Sequence, residues 1–388
     1  MLDKFSLRSP VAWLAILGSA LILLLSSLPE SGKARLLVQQ PQTPRIQLAI
    51  LLDTSSSMSG LINQSRNQLW QMVNEFARAR QNGKTPVLEV AVYEYGHSRL
   101  PAQSGFIRQV TGLTSELDQV SEALFSLTTA GGDEYCGMVI QRAVNDLQWS
   151  NNKNDIRAIF IAGNEPFTQG PVNYHHAIQS ARDKGIVVNT IHAGDFQTGA
   201  NTGWQHGAQL AGGDYMHIDH NHVVAHIVAP QDKRLAELNA QLNKTYVPYG
   251  ASGAKKLERQ ARQDKRNQQE SIALLAERVK SKVSSLYSNE EWDLVDAVES
   301  GNINLKEIDT DKLPAPMQAM APEQRQDYIQ ENAEQRRNIR QEIQALTEAR
   351  DKYIAEKRRE SAEKSVNTVN DALISAIHRQ GKSRNFVF

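Results

Sequence analysis

The stretch Ile46–Asp53, IQLAILLD, is a nearly continuous apolar run that ends in a carboxylate. Such a run is typical of a strand that is buried on both faces of a parallel sheet. Similar runs follow at Val87–Tyr95, Ile156–Gly163, Gly185–Gly194 and Tyr215–Asp219. Helices are predicted between them over 61–80, 115–126, 138–147, 174–184, 204–211 and 223–227. This alternation predicts an α/β fold with a doubly wound, mostly parallel sheet and right-handed crossovers.

The composition changes after Pro230, where strand-like runs vanish and Lys, Arg, Glu and Gln dominate. Pro322 stands where a long helix would begin, and scattered apolar residues over 339–354 predict a helical hairpin or a weak coiled coil. A last amphipathic helix is predicted over 366–377. We therefore expect an α-helical C-terminal region. The predicted divisions are a linker over 29–44, an α/β domain over 45–228, a helix and linker over 229–253 and a helical, coiled-coil-like region over 254–388.

Residues 1–28 have the pattern of an export segment. Lys4 and Arg8 precede an apolar run over Val11–Leu25, whose length lies between that of a signal peptide and that of a membrane-spanning helix. A cleaved signal peptide and an uncleaved membrane anchor both remain open. In either case the positive-inside rule predicts that the rest of the chain is exported. We expect a periplasmic protein, one anchored in the inner membrane facing the periplasm, or a secreted one.

The charge balance and the missing motifs exclude several classes of function. The 388-residue chain has 43 basic and 43 acidic residues, so nothing in its net charge predicts nucleic-acid binding. Cys136 is the only cysteine, and no intramolecular disulfide can form. The chain has no Gly-x-Ser-x-Gly elbow, His-Glu-x-x-His pair or glycine-rich phosphate loop. We therefore expect no enzyme, with a metal-assisted hydrolase as the alternative.

Ten histidines are present, and four of them cluster late in the predicted α/β domain. Such a cluster can bind zinc, but these residues spread over a predicted strand, a loop and a helix start. We interpret them as surface residues: His217, His220, His222 and His226. The pair His175–His176 opens a predicted helix and is also expected to be structural.

The segment Asp53–Ser57 has the pattern Asp-x-Ser-x-Ser, directly after the first predicted strand and before a helix. Ligands of open α/β sheets bind at this carboxyl edge. A carboxylate and two hydroxyls are hard oxygen donors, which favour Mg²⁺, Mn²⁺ or Ca²⁺ over a soft metal. The motif therefore predicts a metal site at Asp53, Ser55 and Ser57.

In this context the chain resembles the von Willebrand factor A (vWA) family over residues 45–228, which implies a Rossmann-like fold. In that family, Asp-x-Ser-x-Ser is the first loop of a metal-ion-dependent adhesion site. A threonine after a Gly-Gly pair and an aspartate after a later strand complete the site. The vacant coordination position takes an acidic residue of a partner protein. The resemblance thus implies a binding module and not an enzyme.

The second and third loops depart from the family pattern. After Gly131-Gly132, the threonine position holds Asp133 or Glu134, and the third-loop aspartate position is Gly163. We expect Asp133 to supply the missing carboxylate, with Glu165 as a further ligand of the metal site. Asp195, at the end of the next strand, lies on the same edge and is a further candidate.

The chain is also similar to bacterial exported vWA proteins with a helical C-terminal extension. The shared segments are GGDEY at 131–135, GNEPF at 163–167, YVPYG at 246–250 and WDLVDAV at 292–298. Two hypotheses follow. The first is a metal-dependent adhesion or assembly module of the cell envelope that binds a protein, with a membrane contact if the N-terminal segment is uncleaved. The second is a scaffold with a degenerate metal site, in which the helical tail carries the interaction.

Overall fold

A six-stranded sheet lies between two helical layers in the computed structural model, which describes residues 43–218, 227–360 and 369–388. The strand order is β4-β3-β1-β5-β6-β7, and only β4 is antiparallel to its neighbour. The mostly parallel, doubly wound sheet is therefore confirmed. The strands are β1 (Arg45–Asp53), β2 (Arg80–Gln81), β3 (Val87–Tyr95), β4 (Ile107–Thr114), β5 (Ile156–Gly163), β6 (Val187–Ala193), β7 (Tyr215–Ile218) and β8 (Phe386–Val387).

Helices connect the parallel strands and then make up most of the C-terminal half. They are α1 (Ser59–Phe76), α2 (Leu117–Ser126), α3 (Cys136–Asp146), α4 (Tyr174–Asp183), α5 (Phe196–Asn201), α6 (Trp204–Leu210), α7 (Asp232–Asn243), α8 (Gly253–Glu270), α9 (Ile272–Lys282), α10 (Leu294–Glu299), α11 (Ala315–Gln318), α12 (Pro322–Glu360) and α13 (Val369–Lys382). The predicted helical C-terminal region is thus confirmed.

The position of β1 in the middle of the sheet explains its continuous apolar run. Leu48 and Leu52 face the core that includes α1, α2 and α13. Ala49 and Leu51 face the opposite core, which includes α3, α4 and α6. Because successive side chains of a strand point to opposite faces, a strand covered on both sides requires apolar residues at nearly every position.

The helices over 229–360 pack on the face of the sheet domain formed by α1 and α2. They have small cores of their own, around Leu238 and Val279 and around Val295 and Met317. Their contact with the sheet domain combines apolar residues of α9 and the following turn with buried polar pairs: the indole nitrogen of Trp70, for example, donates a buried 2.8 Å hydrogen bond to Asn267. This contact stabilises the highly polar α8, which could not form a core alone.

The last helix, α13, returns to the sheet. Leu373, Ala376 and Ile377 belong to the same core as β1 and α1, and β8 pairs with β2. Residues 229–360 therefore lie in sequence between the last parallel strand and a helix that covers that sheet. The predicted division placed this helix in the tail, because an amphipathic pattern does not identify the surface on which a helix packs.

Several predictions concern residues beyond the described ranges. The export segment over 1–28, most of the predicted helix over 223–227, and His220, His222 and His226 lie outside them. Within residues 43–218, 227–360 and 369–388, no helix has both the length and the apolar character needed to cross a bilayer.

Candidate functional site

The Asp-x-Ser-x-Ser segment forms a tight loop between β1 and α1. Asp53 is the last residue of β1, and its Oδ1 accepts a 2.7 Å hydrogen bond from the backbone N–H of Ser55. The N–H of Thr54 donates to the carbonyl of Tyr95 on β3 (2.8 Å), which ties the loop to the neighbouring strand. The hydroxyl oxygens of Ser55 and Ser57 lie 3.3 Å apart. The loop thus places one carboxylate and two hydroxyls close together at the carboxyl edge of the sheet.

Asp53 is fully buried, and no N–H or hydroxyl group of the described residues donates a hydrogen bond to its second carboxylate oxygen, Oδ2. Burial raises the pKa of this carboxyl to about 6. A buried polar atom without a partner costs free energy, so this oxygen has the properties of a ligand atom that awaits a cation or a proton.

The second loop brings a second carboxylate to Asp53, and this residue is Glu134. The backbone N–H of Ala130 donates to the carbonyl of Thr54 (3.0 Å), which joins the two loops. Glu134 is 6% exposed, and Gln169 accepts a 2.8 Å hydrogen bond from its backbone N–H. Burial and then the negative charge of Asp53 raise the pKa of Glu134 to about 9. Asp53 therefore disfavours the ionised form of Glu134, whereas a hydrogen bond with the Glu134 carboxyl lowers the pKa of Asp53 and favours its ionised form.

Gly96 makes this pairing of acids sterically feasible. A Cβ atom at this position would lie 2.7 Å from the Cγ of Glu134 and 3.0 Å from Oδ1 of Asp53. Its φ of +79° is also one that other residues rarely adopt. Only glycine fits between the two side chains.

The third loop has no room for a side chain at Gly163, the position where the resemblance to the vWA family implies an aspartate. A Cβ atom on Gly163 would lie 2.5 Å from the Tyr95 hydroxyl oxygen and 3.2 Å from Oδ2 of Asp53. The Tyr95 hydroxyl donates instead to the carbonyl of Ala162 (2.9 Å). The phenol thus occupies space that a side chain at position 163 would need.

Asn164, which the sequence analysis did not single out, joins the site from this loop. Its amide nitrogen donates to the Ser57 hydroxyl (3.3 Å), and its Oδ1 is buried and has no hydrogen-bond partner within the part of the chain that the structure describes. The signal for it was its place directly after β5, at the same edge as Asp53. We refer to Asp53, Ser55, Ser57, Glu134 and Asn164 as the Asp53 site.

The structure does not bring Asp133 into this site. The Asp133 side chain is exposed and accepts a hydrogen bond from the Tyr135 hydroxyl (3.1 Å). Glu165 is also exposed, although its charge contributes to the raised pKa of Asp53 and of Glu134. Asp195 caps α5 by accepting from the N–H of Thr198 (2.9 Å). The geometry therefore favours Glu134 over Asp133 as the second carboxylate and leaves Glu165 at the rim.

The donor set matches a hard divalent cation. In the described part of the chain, no group of three or more His, Cys, Asp and Glu side chains lies close enough to hold a metal ion. A cation at the Asp53 site would thus depend on hydroxyl and amide oxygens as well as on two carboxylates. Mg²⁺, Mn²⁺ and Ca²⁺ accept all these oxygen types and keep water in the remaining positions. The unpartnered oxygens of Asp53 and Asn164 fit such an ion.

Comparison with known proteins agrees with this architecture. Residues 47–206 match the family model of the von Willebrand factor type A domain. A comparison with curated proteins finds no match.

Among solved structures, an aerotolerance-related membrane protein of Bacteroides fragilis NCTC 9343 is similar at 16% identity, covering 45% of this chain and 92% of that chain with a TM-score of 0.31. The SpRpn10 VWA domain has 16% identity over 45% of this chain and 88% of that chain, with a TM-score of 0.35. Proximal thread matrix protein 1 of the mussel byssus, with a zinc-occupied MIDAS motif, has 12% identity over 45% and 42% of the two chains and a TM-score of 0.32.

Proposed function

Because residues 47–206 form a von Willebrand factor type A domain, we propose that this protein binds a partner protein through a divalent cation held at the Asp53 site. The observation that carries the proposal is the buried Oδ2 of Asp53, which accepts no hydrogen bond from an N–H or hydroxyl group among the described residues and lies beside a second buried acid, Glu134. Among the described residues, no lysine or arginine forms an ion pair with either carboxylate. A cation would therefore stabilise both.

In the proposed complex, Ser55 and Ser57 supply hydroxyl oxygens to the ion, while Asp53 and Glu134 supply the negative charge. The Asn164 side chain, whose amide nitrogen contacts Ser57, offers its unpartnered oxygen as a further ligand. Mg²⁺ is the first candidate because it takes about six oxygens and commonly retains water, with Mn²⁺ and Ca²⁺ as alternatives. A water position on the exposed side is where an acidic residue of the partner would bind.

The pair of carboxylates nearly neutralises a divalent ion before any partner arrives. We therefore expect the protein to hold its metal alone and to attract an acidic partner less strongly than a site with one carboxylate. Glu165 at the rim adds a further negative charge, and so favours a partner that presents neutral or basic groups around its acidic residue.

We also propose an envelope location, since Lys4 and Arg8 precede the apolar run over Val11–Leu25. The second candidate function is a scaffold that binds through its helices and needs no metal. The observation that favours it is the absence of the third-loop carboxylate at Gly163.

Titration calorimetry of the full chain with Mg²⁺, Mn²⁺ and Ca²⁺ tests the metal site. Glu134→Gln and Asp133→Asn form a matched pair, since these neighbouring acids differ in whether they face Asp53. We expect Asp53→Asn and Glu134→Gln to lose binding and Asp133→Asn to retain it. Equal binding by Glu134→Gln and the wild type would remove Glu134 from the site.

Partner binding is tested separately by affinity capture from the cell envelope. We expect partners that are retained in Mg²⁺, released by EDTA and absent with Asp53→Asn. Partners that remain in EDTA and with Asp53→Asn would favour the scaffold hypothesis.

A further inference from the structure

A cluster of aromatic rings brings two exposed histidines together at the starts of α4 and α6. The ring centroids of His175 and His206 lie 5.0 Å apart, with an interplanar angle of 57°. Both residues are exposed, so a solute can reach them. They are 31 positions apart in sequence, and only the fold makes them neighbours.

The distance between the two rings matches chelation of one metal ion. An imidazole nitrogen binds Zn²⁺ at about 2.0–2.1 Å, and two imidazoles on one ion at a tetrahedral angle place their ring centroids about 5 Å apart. Unlike the Asp53 site, this pair offers nitrogen ligands. Imidazole favours Zn²⁺, Cu²⁺ and Ni²⁺ and has little affinity for Mg²⁺ or Ca²⁺.

Tyr174 fixes the orientation of one of the rings through a hydrogen bond. Its hydroxyl lies 2.8 Å from Nδ1 of His206. If a metal binds Nε2, the ring proton stays on Nδ1, where the Tyr174 oxygen accepts it. Hydrogen bonds of this kind commonly orient histidine ligands in metal sites and raise their basicity.

The support beneath the pair is rigid. Tyr174 is 7% exposed, and its ring packs against Phe167 at a centroid distance of 5.1 Å. Phe167 in turn packs on Trp204, the first residue of α6, at 4.9 Å. The His175 ring lies 4.3 Å from that of Tyr174. Both histidines thus extend from one packed aromatic group, which lowers the entropy lost when they bind an ion.

We propose that His175 and His206 form a second metal site, which takes a first-row transition ion such as Zn²⁺, Cu²⁺ or Ni²⁺. Water or a side chain of a bound partner fills the remaining coordination positions. The site is separate from the Asp53 site in its ligands and in its metal class, and it does not depend on the function proposed above.

The test is titration calorimetry of the full chain with Ni²⁺ and Zn²⁺, each alone, at neutral pH. His176→Ala is the matched control, because His176 is exposed and adjacent to His175 but has no ring contact with His206 among those described. We expect His175→Ala and His206→Ala each to lose one equivalent of bound Ni²⁺ that His176→Ala retains. Tyr174→Phe should weaken this site by about tenfold or more.

Histidines elsewhere in the chain contribute equally to the wild type and to all variants, so the differences between variants isolate the pair. Circular dichroism confirms that the variants are folded. Retention of the full Ni²⁺ stoichiometry and affinity by both His175→Ala and His206→Ala would overturn the proposal. Loss of the same equivalent in His176→Ala would also overturn it, because the site would then be a different one.

Discussion

Two regions of this protein hold buried acids in opposite surroundings: the carboxyl edge of the sheet and the interface under the helices over 229–360. At the edge, Asp53 and Glu134 lie beside each other without a cationic partner among the described residues, and their pKa values are raised by burial. Under the helices, Asp118 and Asp264 are paired with Arg278 at 2.6 Å each. The burial is similar, but the balance of charge differs.

The second region, which we name the ion-pair network, consists of Asp118, Asp264, Arg278 and Lys282. Arg278 and Lys282 have no solvent exposure. Burial opposes the ionisation of Asp264, but Lys282 and Arg278 nevertheless hold its pKa well below the usual range. The hydroxyl of Tyr287 donates to Asp118 at 2.7 Å. Two positive and two negative charges thus balance, and the network needs no external ion.

The difference indicates two roles for buried charge. Asp118 belongs to α2 of the sheet domain, whereas the other three residues belong to α8 and α9. Completed pairs are sensitive to geometry, so a network that spans this interface specifies how the helices dock. The incomplete pair at the edge costs stability in the metal-free protein, and a bound cation would recover that cost.

The largest effect should follow from breaking the ion-pair network. Arg278→Met leaves Asp118 and Asp264 buried with too little positive charge, and we expect a loss of about 3–5 kcal/mol in the free energy of unfolding. Urea denaturation measures it. Arg262→Met is the control, because this arginine forms ion pairs on the exposed side of α8, the helix that carries Asp264, and the stability of this variant should stay near that of the wild type. Equal stability of the two variants would show that the network does not fix the docking.

The second prediction concerns the carboxyl edge of the sheet, where removing a buried charge should raise the free energy of unfolding instead of lowering it. In EDTA, Asp53→Asn should be more stable than the wild type by about 2–3 kcal/mol near pH 8, the value expected for a pKa raised from 3.8 to about 6. A carboxyl whose pKa rises on folding contributes stability below its unfolded pKa, and that stability is lost as the pH increases through the folded pKa. The advantage of Asp53→Asn should therefore shrink between pH 6 and pH 4.

Added Mg²⁺ should stabilise the wild type but not Asp53→Asn. The difference in the free energy of unfolding between the two proteins should therefore disappear or change sign. Asp133→Asn is the control and should follow the wild type at every pH. A variant Asp53→Asn that is less stable than the wild type in EDTA at pH 8 would mean that the buried carboxylate has a partner that stabilises its charge.

The sequence predicts most of the sheet domain because its signals are local. An apolar run such as Ile46–Asp53 identifies a central strand, and the following Asp-x-Ser-x-Ser identifies the loop. The edge strand β4 was not predicted, because its residues are only partly buried and its apolar positions do not alternate regularly. Its pairing with β3 also contains irregular register.

The choice between Asp133 and Glu134 could not be made from spacing. These neighbours differ in orientation because Gln169, 35 residues later in the sequence than Glu134, accepts from the N–H of Glu134, while Tyr135 holds the Asp133 side chain outside. The sequence likewise did not predict which surfaces the helices over 229–360 use to dock, because buried polar residues such as Asn267 cannot be distinguished from solvent-exposed ones in a sequence.

The smallest expected effect concerns Tyr95, which separates this site from the family pattern. A Cβ at position 163 would meet the Tyr95 hydroxyl at 2.5 Å, so Gly163→Ala should cost about 1–3 kcal/mol through overpacking. In a Tyr95→Phe background the oxygen is absent, and the same substitution should cost at least about 0.5 kcal/mol less. A double-mutant cycle by urea denaturation measures this coupling. If the two costs are equal, Tyr95 does not occupy the space.

If the coupling is found, Tyr95→Phe with Gly163→Asp is the variant in which a third carboxylate can reach the ion, and its Mg²⁺ affinity should exceed that of Tyr95→Phe alone. With three acids, the carboxyl edge of the sheet would approach the charge balance of the ion-pair network only when metal is bound. Without a cation, three buried acids would lower the free energy of unfolding more than two do.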